Sequence, residues 1–429
     1  MNSIYFLLYF VLAFTSSTSL SSSGSRLLVV VDDLKADKVT YSKFFNLLEK
    51  RKYSTTFATA TDKSVSLISY DERNFDHLVL LTQTTRDLSE ELTVASVLNF
   101  VNKGGNVLVT ASSTVSETIR DFSFEFSIDF DDRLTLVKDP FHTAKENDIF
   151  SIYSDNFRGN KIIYTTKEKD SRELKPIAFK GLAHRLTNKN PLCSPVLLAM
   201  PSAYSFASAD QGEIPENSPF LGQKIALVTS LQARNNARLI FSGSAAMFSD
   251  EFLDLPNYDN LQFVDEISKW VFQEKAVLRV KNAKHHRAHE TQQHGIYRIK
   301  DMMEYSLDIQ EFYNGKWNPF QGQDVQFEAK MLDPYIRRTL KPTPEGKFIV
   351  HFKLPDVYGV FTFKVEYNRH GYSWILSESN VQVRPYRHND YDRFLSSAWP
   401  YYTSVFSLMA GFLVVASIWL FNEEKTVKK

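Results

Sequence analysis

The sequence predicts an α/β domain with a parallel sheet, then an antiparallel β-sandwich, then one C-terminal transmembrane helix. Three observations carry this prediction. Apolar runs alternate with segments of helical spacing up to residue 275, a period of two follows to residue 386, and no charged residue occurs from Phe394 to Asn422. A hydrophobic fraction of 43% over 429 residues supplies enough apolar side chains for packed cores.

The N-terminal domain alternates strands and helices. Five continuous apolar runs are typical of strands buried on both faces: 27–31, 78–81, 107–109, 225–228 and 239–241. Three segments have helical spacing: 41–48, 88–101 and 261–271. Gly104 and Gly105 end the second of them. This order predicts a parallel sheet covered by helices, of the flavodoxin or glutamine-amidotransferase type, over 24–275, with an irregular insertion at about 120–215.

The next domain, 276–386, alternates apolar and polar residues. Val325, Phe327 and Ala329 alternate with polar neighbours, and three more segments share this pattern: 305–310, 348–354 and 361–367. Short alternating strands separated by Gly- and Pro-containing turns predict an antiparallel β-sandwich. The chain has one cysteine, so the cysteine pair of an immunoglobulin domain is missing.

The two ends of the chain predict its compartment. The apolar run 4–14 and the serine-rich stretch after it predict a signal peptide over 1–23. A collar at 387–397 precedes a transmembrane helix at 398–421, and 422–429 form a cytosolic tail. Tyr401 to Leu420 are 20 residues, about 30 Å of helix, with Trp399 and Trp419 at the interfaces. We therefore expect a single-pass type I protein.

Composition favours one compartment and argues against two classes of function. One cysteine and no glycosylation sequon in the large extracytoplasmic body favour the endoplasmic reticulum lumen over a cell-surface receptor. The tail has Val427 at the third position from its end, so it lacks a strict dilysine signal and retention should depend on partners. Lys+Arg and Asp+Glu are both 50, which argues against a nucleic-acid binder.

Several polar groups are candidate sites. Asp32 and Asp33 end the first strand, where open α/β sheets bind ligands, although such residues also cap the next element. The pair Asp129 and Asp131 has the spacing of a nucleotide-sugar metal site, but an exposed charged turn is the better interpretation. Cys193 is not on a strand-to-helix elbow, which leaves nucleophile chemistry unsupported.

The histidine cluster is interpreted as a solvent-facing loop. It comprises four residues: His285, His286, His289 and His294. The last two are five apart, whereas a zinc-protease helix needs a spacing of four. The sequence thus predicts no catalytic residue, no metal and no cofactor. In the membrane helix, Thr403, Ser407 and Gly411 share one face, which predicts close packing against a partner helix.

Seven blocks resemble the 48 kDa subunit family of oligosaccharyltransferase, in the same order along the chain. They are SLQARNNAR at 230–238, FSGS at 241–244, FSD at 248–250, MLDPY at 331–335, LPDVYGVF at 354–361, VRPYRHNDYDRF at 383–394 and AWPYY at 398–402. The resemblance implies a non-catalytic subunit of the complex that transfers a preassembled glycan from dolichyl diphosphate to asparagine in nascent proteins.

The resemblance also implies partners. They would be the catalytic multipass subunit, ribophorins I and II and the small defender-against-death subunit, all in the endoplasmic reticulum membrane. The Trp-Trp-Asp motif of the catalytic subunit does not occur here. The alternative is a stand-alone lumenal enzyme that uses Asp32 and Asp33 at the sheet edge.

Overall fold

The computed structural model describes residues 20–83, 85, 88–145, 148–165, 175–187, 190–207 and 220–422. Residues 1–19 of the predicted signal peptide and 423–429 of the predicted tail lie outside the described residues.

The N-terminal domain is built from short strands and helices. Its strands are β1 (Arg26–Val31), β2 (Ser54–Thr59), β3 (Ile68–Ser69), β4 (Glu72–Arg73), β5 (His77–Leu81), β6 (Asn106–Thr110), β7 (Ile128–Phe130), β8 (Thr135–Lys138), β9 (Thr143–Lys145), β10 (Asp148–Ser154), β11 (Ile177–Phe179), β12 (His184–Leu186), β13 (Cys193–Leu198), β14 (Tyr204–Ala207), β15 (Ala226–Gln232) and β16 (Arg238–Ser242). Its helices are α1 (Ala36–Thr40), α2 (Ser42–Lys50), α3 (Val94–Asn102), α4 (Glu117–Glu125), α5 (Asp250–Leu253) and α6 (Asn260–Val271).

The main sheet is mixed rather than parallel. Its order is β2-β1-β5-β6-β16-β15-β12-β7, with β13 also paired to β15. The first five strands are parallel, whereas β15 is antiparallel to β16 and to β12. The expectation of a parallel sheet is therefore confirmed for these five strands, and β15 departs from it. Five residues separate β15 from β16, and a parallel crossover needs a dozen or more.

Strand β2 was missed at the level of sequence. It pairs in parallel with β1 at the edge of the sheet, from Arg26↔Ser54 to Val31↔Thr59. Its sequence, STTFAT, carries polar residues because an edge strand faces solvent. It therefore lacks the continuous apolar run by which the central strands were found.

Helices cover both faces of this sheet. Along β1, Leu27, Val29 and Val31 pack on one side with α2 and α6, while Leu28 and Val30 pack on the other with α3 and α4. The predicted end of α3 is confirmed, because Gly104 has φ +88° and Gly105 N–H donates to the Phe100 carbonyl. Between α4 and β15, two small sheets form from β9, β10 and β11 and from β8 and β14.

The β-sandwich consists of two facing sheets. Its strands are β17 (Lys275–Arg287), β18 (Ile296–Arg298), β19 (Met302–Tyr313), β20 (Lys316–Pro319), β21 (Gln326–Lys330), β22 (Pro334–Thr339), β23 (Lys341–Pro342), β24 (Lys347–Lys353), β25 (Gly359–Tyr367) and β26 (Ile375–Arg384). One sheet has the order β17-β19-β24-β23 with β20 on β19, and the other β18-β26-β25-β21-β22. Neighbouring strands are antiparallel except β18 and β26, which are parallel. Inward residues such as Phe327, Phe348 and Phe363 fill the core between them.

The sandwich has two ends. Tyr367 pairs with Ile375 at the end next to the α/β domain, which we call the junction end. Gly359 pairs with Val383 at the other end, where β26 leads into residues 385–398 and which we call the collar end. Helix α7 (Trp399–Leu420) follows, and it is long and apolar enough to cross a membrane. At about 3.3 Å per residue, β25 separates the two ends by about 30 Å.

Candidate functional site

The acidic pair at the sheet edge is engaged in holding loops. Asp32 Oδ2 accepts a hydrogen bond from the Gln83 backbone N–H at 2.6 Å, and Asp32 Oδ1 accepts one from the Thr85 hydroxyl at 2.5 Å. Asp33 Oδ1 accepts the Lys35 amide at 2.9 Å. Asp37 accepts the amides of both Asp32 and Asp33 at 3.0 Å. Asp32 therefore ties the end of β1 to the segment after β5.

The other sequence candidates lie in structural contacts. Asp129 Oδ2 accepts from Arg185 Nη2 at 2.9 Å. The buried Cys193 thiol donates to the Phe126 carbonyl at 3.3 Å, and burial raises its pKa to about 12. A thiol with this pKa stays protonated at neutral pH, so it is a poor nucleophile. Among the residues that the structure describes, no group of three or more His, Cys, Asp or Glu side chains could hold a metal ion.

The histidine cluster is only partly a loop. His285 and His286 lie on β17, so the interpretation as a solvent-facing loop was wrong for them. His285 is buried, and its Nδ1 lies 2.9 Å from the Tyr297 hydroxyl. His294 Nε2 lies 2.7 Å from Glu290 Oε2 in the turn that follows. The second half of β17 was not recognised as a strand because its lysines and histidines leave no alternation of apolar and polar residues.

The membrane-helix residues share one exposed face of α7. Thr403 donates its hydroxyl to the Trp399 carbonyl at 2.7 Å, and Ser407 donates to the Ser404 carbonyl at 2.9 Å. A Cβ added at Gly411 would meet nothing within 4 Å. Because both hydroxyls are satisfied within the helix, they bring no unsatisfied donor into an apolar environment.

A buried polar cluster lies between the α/β domain and the sandwich. Arg238 is fully buried at the start of β16, and its guanidinium donates to three carbonyls, those of Trp270, Lys275 and Ala276, at 2.7–2.9 Å. Burial lowers its pKa to about 9, with Glu311 opposing the shift, so the side chain stays charged at neutral pH. Arg238 therefore fastens the end of α6 and the start of β17 to the main sheet.

The turn before Arg238 contacts the sandwich directly. Gln232 Nε2 donates to the Tyr372 carbonyl at 2.7 Å. Asn236 has φ +67°. Its Oδ1 accepts a hydrogen bond from the Trp374 backbone N–H at 2.7 Å, and its Nδ2 donates one to the Trp374 carbonyl at 3.0 Å. The indole of Trp270 adds a hydrogen bond of 2.7 Å to the Gly371 carbonyl. A cavity of about 430 Å³ beside this turn is lined by Arg234, Arg369 and Trp374, among others.

Sequence reasoning assigned these junction residues no role of their own. Gln232, Asn236 and Arg238 belong to the block 230–238, which contributes to the family resemblance alone. Their side chains reach segments 32 to 140 positions away in sequence, so spacing carried no signal. A charged residue directly before the apolar run of a strand, as in RLIFS, is the one local cue, because a buried arginine needs partners.

These features define a protein with a mixed α/β domain, a β-sandwich and a C-terminal helix that is long and apolar enough to cross a membrane. Family models for the OST48 N-terminal domain and the OST48 middle domain match residues 18–274 and 285–423. The chain belongs to the OST48 family, that of the 48 kDa subunit of dolichyl-diphosphooligosaccharide–protein glycosyltransferase. The resemblance found in the sequence is thereby confirmed.

Curated relatives with that subunit name cover nearly the whole chain. The protein from Arabidopsis thaliana is 37% identical over 96% of this chain and 96% of its own. The Danio rerio protein is 38% identical over 90% of this chain and 89% of its own. The Caenorhabditis elegans protein is 34% identical over 93% of this chain and 92% of its own. Among solved structures, a ThuA-like protein from Parabacteroides merdae is 11% identical, with a TM-score of 0.32, and covers 58% of this chain and 89% of its own. That likeness is too weak to carry an argument.

Proposed function

We propose that this chain is a non-catalytic subunit of the oligosaccharyltransferase complex of the endoplasmic reticulum. The complex transfers a preassembled glycan from dolichyl diphosphate to asparagine in Asn-x-Ser/Thr of nascent proteins. Family membership over nearly the whole chain is the observation that carries the proposal. The body lies in the lumen, α7 crosses the membrane once as in a type I protein, and the short tail is cytosolic.

The chemistry at the sheet edge supports an accessory role. Two backbone amides and a hydroxyl occupy the Asp32 carboxylate, which leaves it poorly placed to act as a base or a metal ligand. The alternative of a stand-alone lumenal enzyme depends on this site. The double variant Asp32→Asn, Asp33→Asn separates the two proposals. Normal glycosylation by a normally assembled complex supports the accessory role, whereas lost glycosylation with an intact complex supports the enzyme.

Assembly is tested by purifying the tagged chain in a mild detergent and identifying what accompanies it. We expect the catalytic multipass subunit, ribophorin I and II type subunits and a defender-against-death type small subunit in stoichiometric amounts. A chain that purifies alone would contradict the proposal.

The face of Thr403, Ser407 and Gly411 is proposed to contact a partner helix in this complex. Gly411→Leu places a bulky side chain on that face and should release partners during purification. Ala416→Leu is the matched control, because its position lies on the opposite side of the same helix at 100° per residue. Equal recovery of partners with both variants would remove this face from the proposal.

A further inference from the structure

The collar end of the sandwich concentrates exposed apolar side chains. Seven large hydrophobic residues between 276 and 386 are exposed, and six of them lie at or near this end. These six are Ile296, Met302, Leu332, Tyr335, Tyr358 and Val360. The exception, Leu376, pairs with Glu366 near the junction end. This one-sided distribution is unlike the scattered exposure usual for a soluble surface.

The two most exposed of these six side chains lie on neighbouring loops. Leu332 is 95% exposed in the turn that joins β21 to β22, and Tyr358 is 68% exposed in the segment before β25. The two tips are neighbours, because a Cβ at Gly359 would lie 3.0 Å from Met331 Sδ. They belong to the blocks 331–335 and 354–361 of the family resemblance, which form no part of the junction or of the membrane helix.

The collar holds this end close to the start of α7. Asp390 is fixed to the sandwich by Arg384 Nη1 at 2.7 Å and by Arg298 Nη1 at 3.7 Å. Lys300 forms an ion pair of 2.7 Å with Asp356, two residues before Tyr358. Six residues then lead from Asp390 to Ser396, where the apolar span begins. An extended chain of that length reaches about 20 Å.

We infer that the collar end of the sandwich rests on the lumenal surface of the bilayer, with Leu332 and Tyr358 in its interfacial layer. Tyrosine and leucine at a loop tip suit this layer, where an aromatic ring meets headgroups and an aliphatic chain meets the acyl boundary. Two cations nearby, the exposed Lys353 and the half-buried Lys330, suit lipid phosphates. The sandwich would then hold the α/β domain above the membrane by the length of a strand. This inference depends on the membrane anchor and not on the proposed role in glycosylation.

The test uses the full chain reconstituted alone into lipid nanodiscs. Cys193 is buried and is the only cysteine, so Cys193→Ser followed by Leu332→Cys gives one site for an environment-sensitive fluorophore. We expect a blue-shifted emission and at least a twofold loss of intensity when the nanodisc lipids carry a nitroxide near the headgroup. The matched control is Glu345→Cys in the turn before β24, an exposed site at the junction end of the sandwich. It should show neither effect.

Three results overturn the inference. A label at 332 that emits as in water and escapes quenching shows that the collar end stands clear of the bilayer. Equal quenching at 332 and 345 shows that the body lies on its side. A label at 332 that becomes protected only when other subunits are added shows that protein, not lipid, covers this surface. Because all three use the chain in the nanodisc, they do not depend on transfer activity.

Discussion

Replacing Arg238 by methionine tests whether the junction depends on one buried guanidinium. Methionine keeps most of the aliphatic volume of arginine but removes the charge and the donors. The side chain is fully buried, so no water replaces the three hydrogen bonds to the Trp270, Lys275 and Ala276 carbonyls. The variant therefore isolates the polar contribution from packing.

The structure sets the size of the effect. Hydrogen bonds from a charged donor contribute about 1.5–3 kcal/mol each, so three give about 4.5–9 kcal/mol before compensation. Two of the carbonyls keep another donor, since Trp270 O also accepts from Gln273 N–H and Ala276 O from Ser373 N–H. Removing the cost of a buried charge offsets another share of the loss. We expect a net loss of about 2–4 kcal/mol in the free energy of unfolding.

Urea unfolding of the detergent-solubilised full chain, followed by tryptophan fluorescence, measures this loss. One of the five tryptophans reports on the junction itself, because the Arg238 guanidinium lies 4.9 Å from the centre of the Trp270 ring. At an m value of about 3 kcal/mol/M, a loss of about 3 kcal/mol lowers the midpoint by about 1 M. Arg234→Met, at an exposed position of the same turn, is the control and should change the free energy by less than about 0.5 kcal/mol. Equal midpoints for the two variants would refute the reasoning.

Three further predictions concern buried positions of the α/β domain. Burial lowers the pKa of His184 to about 3. Below about pH 6.5 the imidazole therefore binds a proton in the unfolded state but not in the folded state. The free energy of unfolding consequently falls as the pH drops. Between about pH 7 and 5 the wild type should lose about 2 kcal/mol of stability relative to His184→Gln in urea titrations, and equal losses in the two proteins would contradict this prediction. Cys193 should resist a thiol reagent in the folded chain and react fully in denaturant; fast reaction of the native protein would contradict its burial. Gly243→Ala places a Cβ 2.1 Å from the Leu182 carbonyl oxygen and should cost about 2–3 kcal/mol in the same assay, whereas Gly295→Ala, with nothing within 4 Å, should be tolerated.

The sequence was informative wherever burial is continuous along the chain. The central strands β1, β5, β6, β15 and β16 carry unbroken apolar runs because both of their faces are covered, and these runs identified them. Alternation identified β21, β24 and β25, since one face of each sheet meets solvent. The charge-free segment before Asn422 predicted α7 from length and composition alone.

The sequence was uninformative where polar residues lie in strands or where partners are distant. Edge strand β2 and the histidine-bearing end of β17 were missed because solvent contact and paired polar groups leave no apolar pattern. The antiparallel pairing of β15 was not predicted, because a run of apolar residues does not distinguish parallel from antiparallel pairing and only the short connection to β16 does.

Local properties of the chain were enough to establish the family, the order of the domains and the apolar C-terminal helix, because long blocks, hydrophobic periods and a charge-free span can all be read along the sequence. The roles of the polar residues became visible only in three dimensions. Asp32 accepts hydrogen bonds from backbone amides, Arg238 is buried among three carbonyls, and Gly359 lies beside Met331 at the collar end. Each of these contacts joins segments far apart in the chain, and the chemistry of a side chain depends on the neighbours that folding brings to it.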